Sequence, residues 1–270
     1  RENGQVVACV INEGTYDGEQ FFLFDSQARA QDRDLISGMI RFAKTNGSGI
    51  ASNRKTRSAT IPVSQWNTVL ADMLGLNGFK KEDRTDVHLI LPFPESPFPV
   101  TLPDGYTFAD GTETPAFFLS NVHRHSFAYG PEGTACEHGV EAFTELRTMK
   151  HYRSDLELCV LDPGGLPVAM GIIWMDERMP YCELEPLAVV WWERRNGLGT
   201  TLLHELSNRV MRLYPCCTGM LGGDQSFYSR IGYEKQAEAS RFHWETDVII
   251  SWEKESFELD YRKEVSTLLK

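Results

Sequence analysis

The chain has 270 residues, 41% of them hydrophobic, and a formal net charge of −11 at pH 7. That is enough apolar chain to bury one large core or two modest ones, and we read two. The acidity argues against a nucleic-acid-binding surface and favours cationic or amine partners. No apolar run approaches the ~20 residues that span a bilayer, so neither nucleic acid nor membrane is expected as a partner.

No basic region followed by an apolar core opens the chain, so a cytoplasmic location is expected. The six cysteines, Cys9, Cys136, Cys159, Cys182, Cys216 and Cys217, show no Cys-x-x-Cys and no zinc-type Cys/His spacing. They are expected to be reduced, with no metal bound, and Cys216-Cys217 to be buried structural thiols at a strand start.

Residues 5–11 and 20–24 read as two strands around a turn at 14–18. Residues 32–45 place Leu35, Ile36, Met39, Ile40 and Ala43 on one helical face, and Asn46-Gly47 stops the helix. A polar loop at 48–57 leads to a short strand at 60–63, which Pro62 confines to a sheet edge. Ser64 is the expected N-cap of a helix over 66–74, followed by Gly78-Phe79 and a strand at 87–92. The proline-dense stretch 91–99 reads as extended chain, so a linker is placed at 96–102 between domains at 1–95 and 103–247.

In the second domain a strand at 105–109 precedes a helix at 114–127, with Thr114 as N-cap and Pro115 at its first position. A loop at 130–139, a helix at 140–151, and strands at 156–161 and 168–174 around Asp162-Pro163-Gly164-Gly165 follow. A strand at 181–190 then runs into the turn Arg194-Arg195-Asn196-Gly197-Leu198-Gly199, and Leu202, Leu203, Leu206, Val210 and Leu213 mark a helix over 200–214. The turn thus sits at a helix N-terminus, whose unpartnered N–H groups and dipole hold an anion such as phosphate. A strand at 218–221, Gly222-Gly223-Asp224 and a short helix at 225–230 come next. In the tail at 248–270, Phe257, Tyr261, Val265 and Leu268 or Leu269 read as an amphipathic helix.

The turn resembles the Arg/Gln-x-x-Gly-x-Gly/Ala pyrophosphate loop of the GNAT superfamily of N-acetyltransferases. The segment Phe227-Tyr228-Ser229-Arg230-Ile231-Gly232-Tyr233 is similar to that family's Phe-Tyr-x-x-x-Gly-Phe, with Tyr233 in place of the last Phe. Glu185-Pro186-Leu187-Ala188-Val189 looks most like bacterial members, including tandem-domain ones such as mycothiol synthase, though many relatives carry Pro where Trp191 stands. The resemblance implies an α/β GNAT fold, a mixed central sheet splayed where acetyl-CoA binds. It further implies that residues 1–92, which resemble a shortened copy of the second half of the family's domain in element order but lack Gly-x-Gly between Phe24 and Leu35, form a degenerate half-domain without chemistry. Coenzyme A would be held by Leu187, Ala188 and Val189 of the strand and by Arg194, Arg195, Asn196, Gly197, Leu198, Gly199 and Thr200 of the turn, with Val189 N–H on the thioester oxygen.

Acetyl transfer to an amine needs a neutral amine, a polarised carbonyl and a proton for the departing thiolate. Glu183 and Glu185 fall on one face of a strand, because side chains alternate with period two, and each carboxylate could raise the other's pKa. Glu183 stands eleven positions before Arg194, a spacing at which some relatives place a glutamate base. Glu185 and a water relay are the alternatives. Tyr228 matches the family tyrosine that faces the coenzyme A sulfur as proton donor. The expected activity is transfer of an acetyl group from acetyl-CoA to a primary amine of a small acceptor, by a monomer or homodimer. The alternatives are a longer acyl donor, or a non-catalytic acetyl-CoA sensor or scaffold.

Overall fold

The structure, a computed structural model, describes residues 1–13, 18–50, 56–127, 139–223 and 225–247. The expected tail helix, Cys136, Asp224 and most of the loop at 130–139 lie outside the described residues. Two compact units divide the chain: one takes Arg1–Val87 and returns with the chain from Ala237, the other is His88–Gln236. The second unit contains the whole proline-dense stretch at which the sequence suggests a boundary, and the divisions fall inside two long strands instead. No helix among the described residues is long and apolar enough to cross a membrane.

In the first unit, β1 (Ala8–Asn12) and β2 (Gln20–Phe24) form an antiparallel hairpin, with Ala8 opposite Phe24. Asp32 caps α1 (Arg33–Phe42) by accepting from Asp34 N and Leu35 N, and the helix buries Ile36, Met39 and Ile40 as its spacing requires. The expected loop at 48–57 contains β3 (Gly49–Ile50) and the start of β4 (Thr56–Ser64). Because β3 reaches only Arg57 and Ser58, Pro62 has no β3 partner to lose. Helix α2 (Thr68–Leu76) starts later than expected, since Asn67 rather than Ser64 is its cap, accepting from Leu70 N; Trp66 is left 68% exposed in the turn before it. After Gly78-Phe79 comes β5 (Lys80–Pro92), seven residues longer at its start than the apolar run alone suggests. Ile36, Ile40, Ile61, Leu74, Phe79 and Phe242 share one core cluster.

The second unit opens with the end of β5. Then come β6 (Thr107–Asp110), α3 (Ala116–Phe127), α4 (Val140–Leu146), β7 (Glu157–Leu161), β8 (Pro167–Trp174), β9 (Tyr181–Val189), α5 (Leu198–Leu213), β10 (Gly219–Gly222) and α6 (Ser226–Arg230). The last strand, β11 (Glu234–Asp247), leaves it for the first unit, where it pairs with β4. Strands β6, β7, β8 and β9 are antiparallel neighbours; β9 and β10 are parallel, and β10 is antiparallel to β5 through Gly219–Pro92 and Gly222–Leu89. Strand β8 is buried from Pro167 to Ile173, the mark of a strand covered on both faces; α3 packs on β8 and β9, and α5 on β7, β8 and β9.

Helix α4 stops at Leu146, short of the expected 151. There Arg147 turns inward to Glu157, at 2.5 Å, and donates to Gly111 O and Thr114 O. Of the adjacent thiols expected to be buried, Cys217 is and Cys216 is exposed.

Candidate active site

Strand β9 sets the geometry. Cys182, Leu184, Pro186 and Ala188 are buried, while Tyr181, Glu183, Glu185, Leu187 and Val189 share the other face, so the two glutamates do lie on one side. The register against β8 slips here, from Gly171–Leu187 to Ile173–Leu184, so that Glu185 and Pro186 together oppose Ile172. The indole of Trp174 donates to Glu185 O at 2.7 Å, at the residue where the ladder is broken.

Strands β9 and β10 pair over only three positions, Tyr181–Glu183 with Gly219–Leu221. Beyond them opens a cavity of about 600 Å³, walled by Glu185, Leu187, Ala188 and Val189 on one side and by Gly223, Phe227, Tyr228 and Ile231 on the other. Val190 N–H bonds Val168 O at 3.0 Å, toward β8. Since N–H groups alternate edges along a strand, Val189 N–H points to the other edge, the one that faces the cavity.

The start of α5 closes one end. Gly197 is its N-cap at φ +79°, a left-handed conformation for which glycine is suited, and it offers no side-chain cap. Thr201 N makes the first ladder bond, to Gly197 O at 3.0 Å. The N–H groups of Leu198, Gly199 and Thr200 therefore precede the ladder, at residues that line the cavity. A side chain at Gly199 would sit 3.5 Å from Val189 and 3.6 Å from Phe227, in the space between turn and strand.

The side chains of the turn are arranged differently from what the motif suggests. The Arg194 guanidinium donates to Ser126 O at the end of α3 and to Val189 O at 3.3 Å, so it ties the strand to a helix. Asn196 Nδ2 donates to Glu193 Oε2 at 3.1 Å, and Tyr106 Oη donates to the same oxygen at 2.8 Å. Of the residues expected to hold coenzyme A, all but Asn196 are among those lining the cavity; of the catalytic candidates, Glu185 and Tyr228 are, and Glu183 is not. Glu183 is exposed one pleat away, beside Trp174 of β8 and Leu221 of β10.

Tyr228 reaches the cavity from α6. Its ring packs edge-on against Tyr233, with centroids 5.0 Å apart, and both lean on Gly222, where a Cβ would come 2.5 Å from Tyr233 and 2.9 Å from Tyr228. Burial, with the Glu185 carboxylate adding to it, pushes the Tyr228 phenol up to about 12, against a backbone hydrogen bond from Gly223. Burial also raises Tyr233, whose hydroxyl is buried without a hydrogen-bond partner among the described residues. Glu193, Tyr106 and Trp174 carry no motif, and Tyr106 is 87 residues from Glu193, so nothing local in the sequence marks their association.

The sequence matches no family model and no curated protein. The fold matches solved structures of the GNAT superfamily. One is a GCN5-related N-acetyltransferase from Sphaerobacter thermophilus, 13% identical over 88% of this chain and 76% of that one, with a TM-score of 0.62. A tandem GNAT protein from the clavulanic acid biosynthesis pathway, solved without AcCoA, is 16% identical over 91% of this chain and 81% of that one, at 0.59. The glucosamine N-acetyltransferase region of a fungal multi-domain beta-N-acetylglucosaminidase is 13% identical over 88% of this chain and 31% of that one, at 0.54. At these identities the likeness establishes the fold: α/β of the GNAT type, with a mixed sheet.

Proposed function

We propose that the second unit is an N-acetyltransferase that moves an acetyl group from acetyl-CoA to a primary amine of a small cationic acceptor, by direct attack in a ternary complex. The observation that carries this reading is a single cavity shared by three features: an uncapped helix N-terminus, a strand edge past its pairing, and the Glu185–Tyr228 pair. Acetyl-CoA fits what the cavity offers: N–H donors of Leu198, Gly199 and Thr200 for a diphosphate, strand N–H groups for amides, and an activated thioester supplied by the ligand itself.

Val189 N–H is placed to polarise a carbonyl at the strand edge. Glu185, rather than Glu183, borders the cavity, so it is the carboxylate that can hold an acceptor's ammonium or accept its proton, directly or through water. Tyr228 keeps its proton at neutral pH and so can donate a hydrogen bond to a departing sulfur. A phenol near 12 gives that proton up reluctantly. A cation bound at Glu185 would cancel the carboxylate's contribution and ease the transfer, linking acceptor binding to Tyr228 acidity. The net charge of −11 suits a cationic acceptor, such as a polyamine, an aminoglycoside, an amino acid derivative or the cysteinyl amine of a low-molecular-weight thiol.

Calorimetric titration with acetyl-CoA, followed by thiol-release assays against a pooled amine library, tests the reading. Binding with turnover on a cationic amine supports it. Binding without turnover makes the protein an acetyl-CoA sensor, and absence of binding refutes both.

A further inference from the structure

The turn that leads into α5 holds an arginine in an unfavourable backbone. Arg195 has φ +74°, the left-handed region that side chains bearing a Cβ disfavour, and with Arg194 it lies between Glu193 and Asn196, whose side chains are joined to each other. Asn196 Nδ2 donates to Glu193 Oε2 at 3.1 Å, closing a short ring across Arg194 and Arg195. Tyr106 Oη donates to that same oxygen at 2.8 Å and fastens the ring to the chain just before β6. Glu193 is an acidic residue in the wall of a cavity proposed to hold a diphosphate, where a free carboxylate would repel the ligand. Two donors on one oxygen give that carboxylate a role facing the turn.

We propose that Tyr106, Glu193 and Asn196 form a brace that holds Arg195 left-handed before any ligand arrives, so that the N–H groups at the start of α5 and the Arg195 guanidinium are already presented to the cavity. The inference rests on the coenzyme A reading of the cavity. These are positioning residues: they act through the backbone of Arg195 and need not touch the ligand. Without the brace the free turn relaxes, and part of the binding free energy goes into restoring it.

The test separates backbone from guanidinium by comparing Arg195→Ala with Arg195→Gly, both of which lack the charge and only one of which carries a Cβ. Dissociation constants for coenzyme A are measured by calorimetry on the full chain, in the native background and with Tyr106→Phe and Asn196→Ala combined. With the brace intact the Gly and Ala variants should bind alike. With the brace removed, Gly should bind roughly three- to tenfold more tightly than Ala, because glycine populates the left-handed region freely. With Arg195 retained, Tyr106→Phe should raise KM for acetyl-CoA by a similar factor, while turnover at saturation stays within about twofold. A merely structural role would lower thermal stability without creating a Gly/Ala difference. The same Gly/Ala ratio in both backgrounds overturns the brace while native binding leaves the coenzyme A reading standing; native protein that fails to bind coenzyme A overturns both.

Discussion

Glu185 and Tyr228 enter one cavity from a strand and a helix, and the carboxylate of the first, after burial, is a cause of the high pKa of the second. Removing the Glu185 charge must therefore lower the Tyr228 pKa from about 12. Difference titration of phenolate absorbance between the native protein and Tyr228→Phe, repeated on a Glu185→Gln background, checks the sign.

If Tyr228 is the proton donor of the proposed reaction, Tyr228→Phe should lower turnover by roughly ten- to a hundredfold, with coenzyme A affinity within about twofold. Any alkaline fall in rate below pH 10 belongs to another group, since Tyr228 ionises near 12. The folded-state pKa lies above the value of about 10 expected in the unfolded chain. The stability Tyr228 contributes is thus fully present below 10 and disappears as pH rises through about 12. Alkaline melts should show a shallower decline for the Phe variant, and equal slopes would refute the burial account.

Gly197 and Gly199, two residues apart, should fail differently. A Cβ at Gly197 meets nothing within 4 Å, so Gly197→Ala suffers only from φ +79°, costing about 1–2 kcal/mol of stability. A Cβ at Gly199 makes ordinary contacts at 3.5 and 3.6 Å, so Gly199→Ala should melt like the native protein. It should nevertheless bind coenzyme A more weakly, because the methyl lies between the helix start and Val189. Melting curves and calorimetry on the two variants separate the effects; a Gly199 variant with native affinity would remove the close-approach role.

Much of this site is legible from local chemistry. The glycine turn before a helix, the period of two that puts Glu183 and Glu185 on one face, and the aromatic segment around Tyr228 depend on neighbours in sequence. Which of the two glutamates borders the cavity is not legible, because it depends on where β10 stops pairing with β9, a property of two strands whose paired residues lie more than thirty positions apart. The fate of Arg194 is hidden for the same reason: its partner Ser126 lies 68 residues away. In the fold, α1 and the β7–β8 hairpin follow from periodicity and turn residues. The start of α2 is misplaced because Ser64 and Asn67 are both good caps, and only the turn closed by Asn67 N on Ser64 O at 2.9 Å decides between them.

The ion pair of Arg147 and Glu157 replaces the expected last turn of α4. Glu157 is fully buried, and Arg147 also donates to Gly111 O at 2.6 Å and Thr114 O at 2.7 Å. Glu157→Ala strands a guanidinium and should cost about 3–5 kcal/mol, whereas Arg147→Met with Glu157→Leu should recover much of that. Urea denaturation of the single and double variants decides. A double variant no better than the single would mean that the backbone bonds of Arg147, not the charge pair, dominate.

One polar stripe of α5 binds the proline-dense segment before the second unit's first full strand. Thr201 Oγ1 donates to Thr101 O at 3.0 Å, and His204 Nδ1 lies 2.9 Å from Pro99 O with its ring stacked 4.8 Å from Phe98. Asn208 both accepts from Phe98 N at 2.8 Å and donates to Phe98 O at 2.9 Å. A carbonyl only accepts, so Nδ1 of His204 must carry the hydrogen. Prolines explain the arrangement: an extended segment with few N–H groups cannot join a sheet, and its carbonyls turn to side chains. Asn208→Ala should therefore cost about 1–3 kcal/mol by leaving both Phe98 backbone groups unpaired. Asn208→Asp keeps the acceptor but sets an anion against Phe98 O, unless the carboxyl is protonated and donates. Its folded-state pKa is then raised above ~4, so the hydrogen bond stabilises fully below that pH and is lost as pH rises through the folded value. Denaturation of the Asp variant across the acid range should show recovery toward native stability relative to Asn208→Ala, and a constant gap between the two would refute the pairing with Phe98.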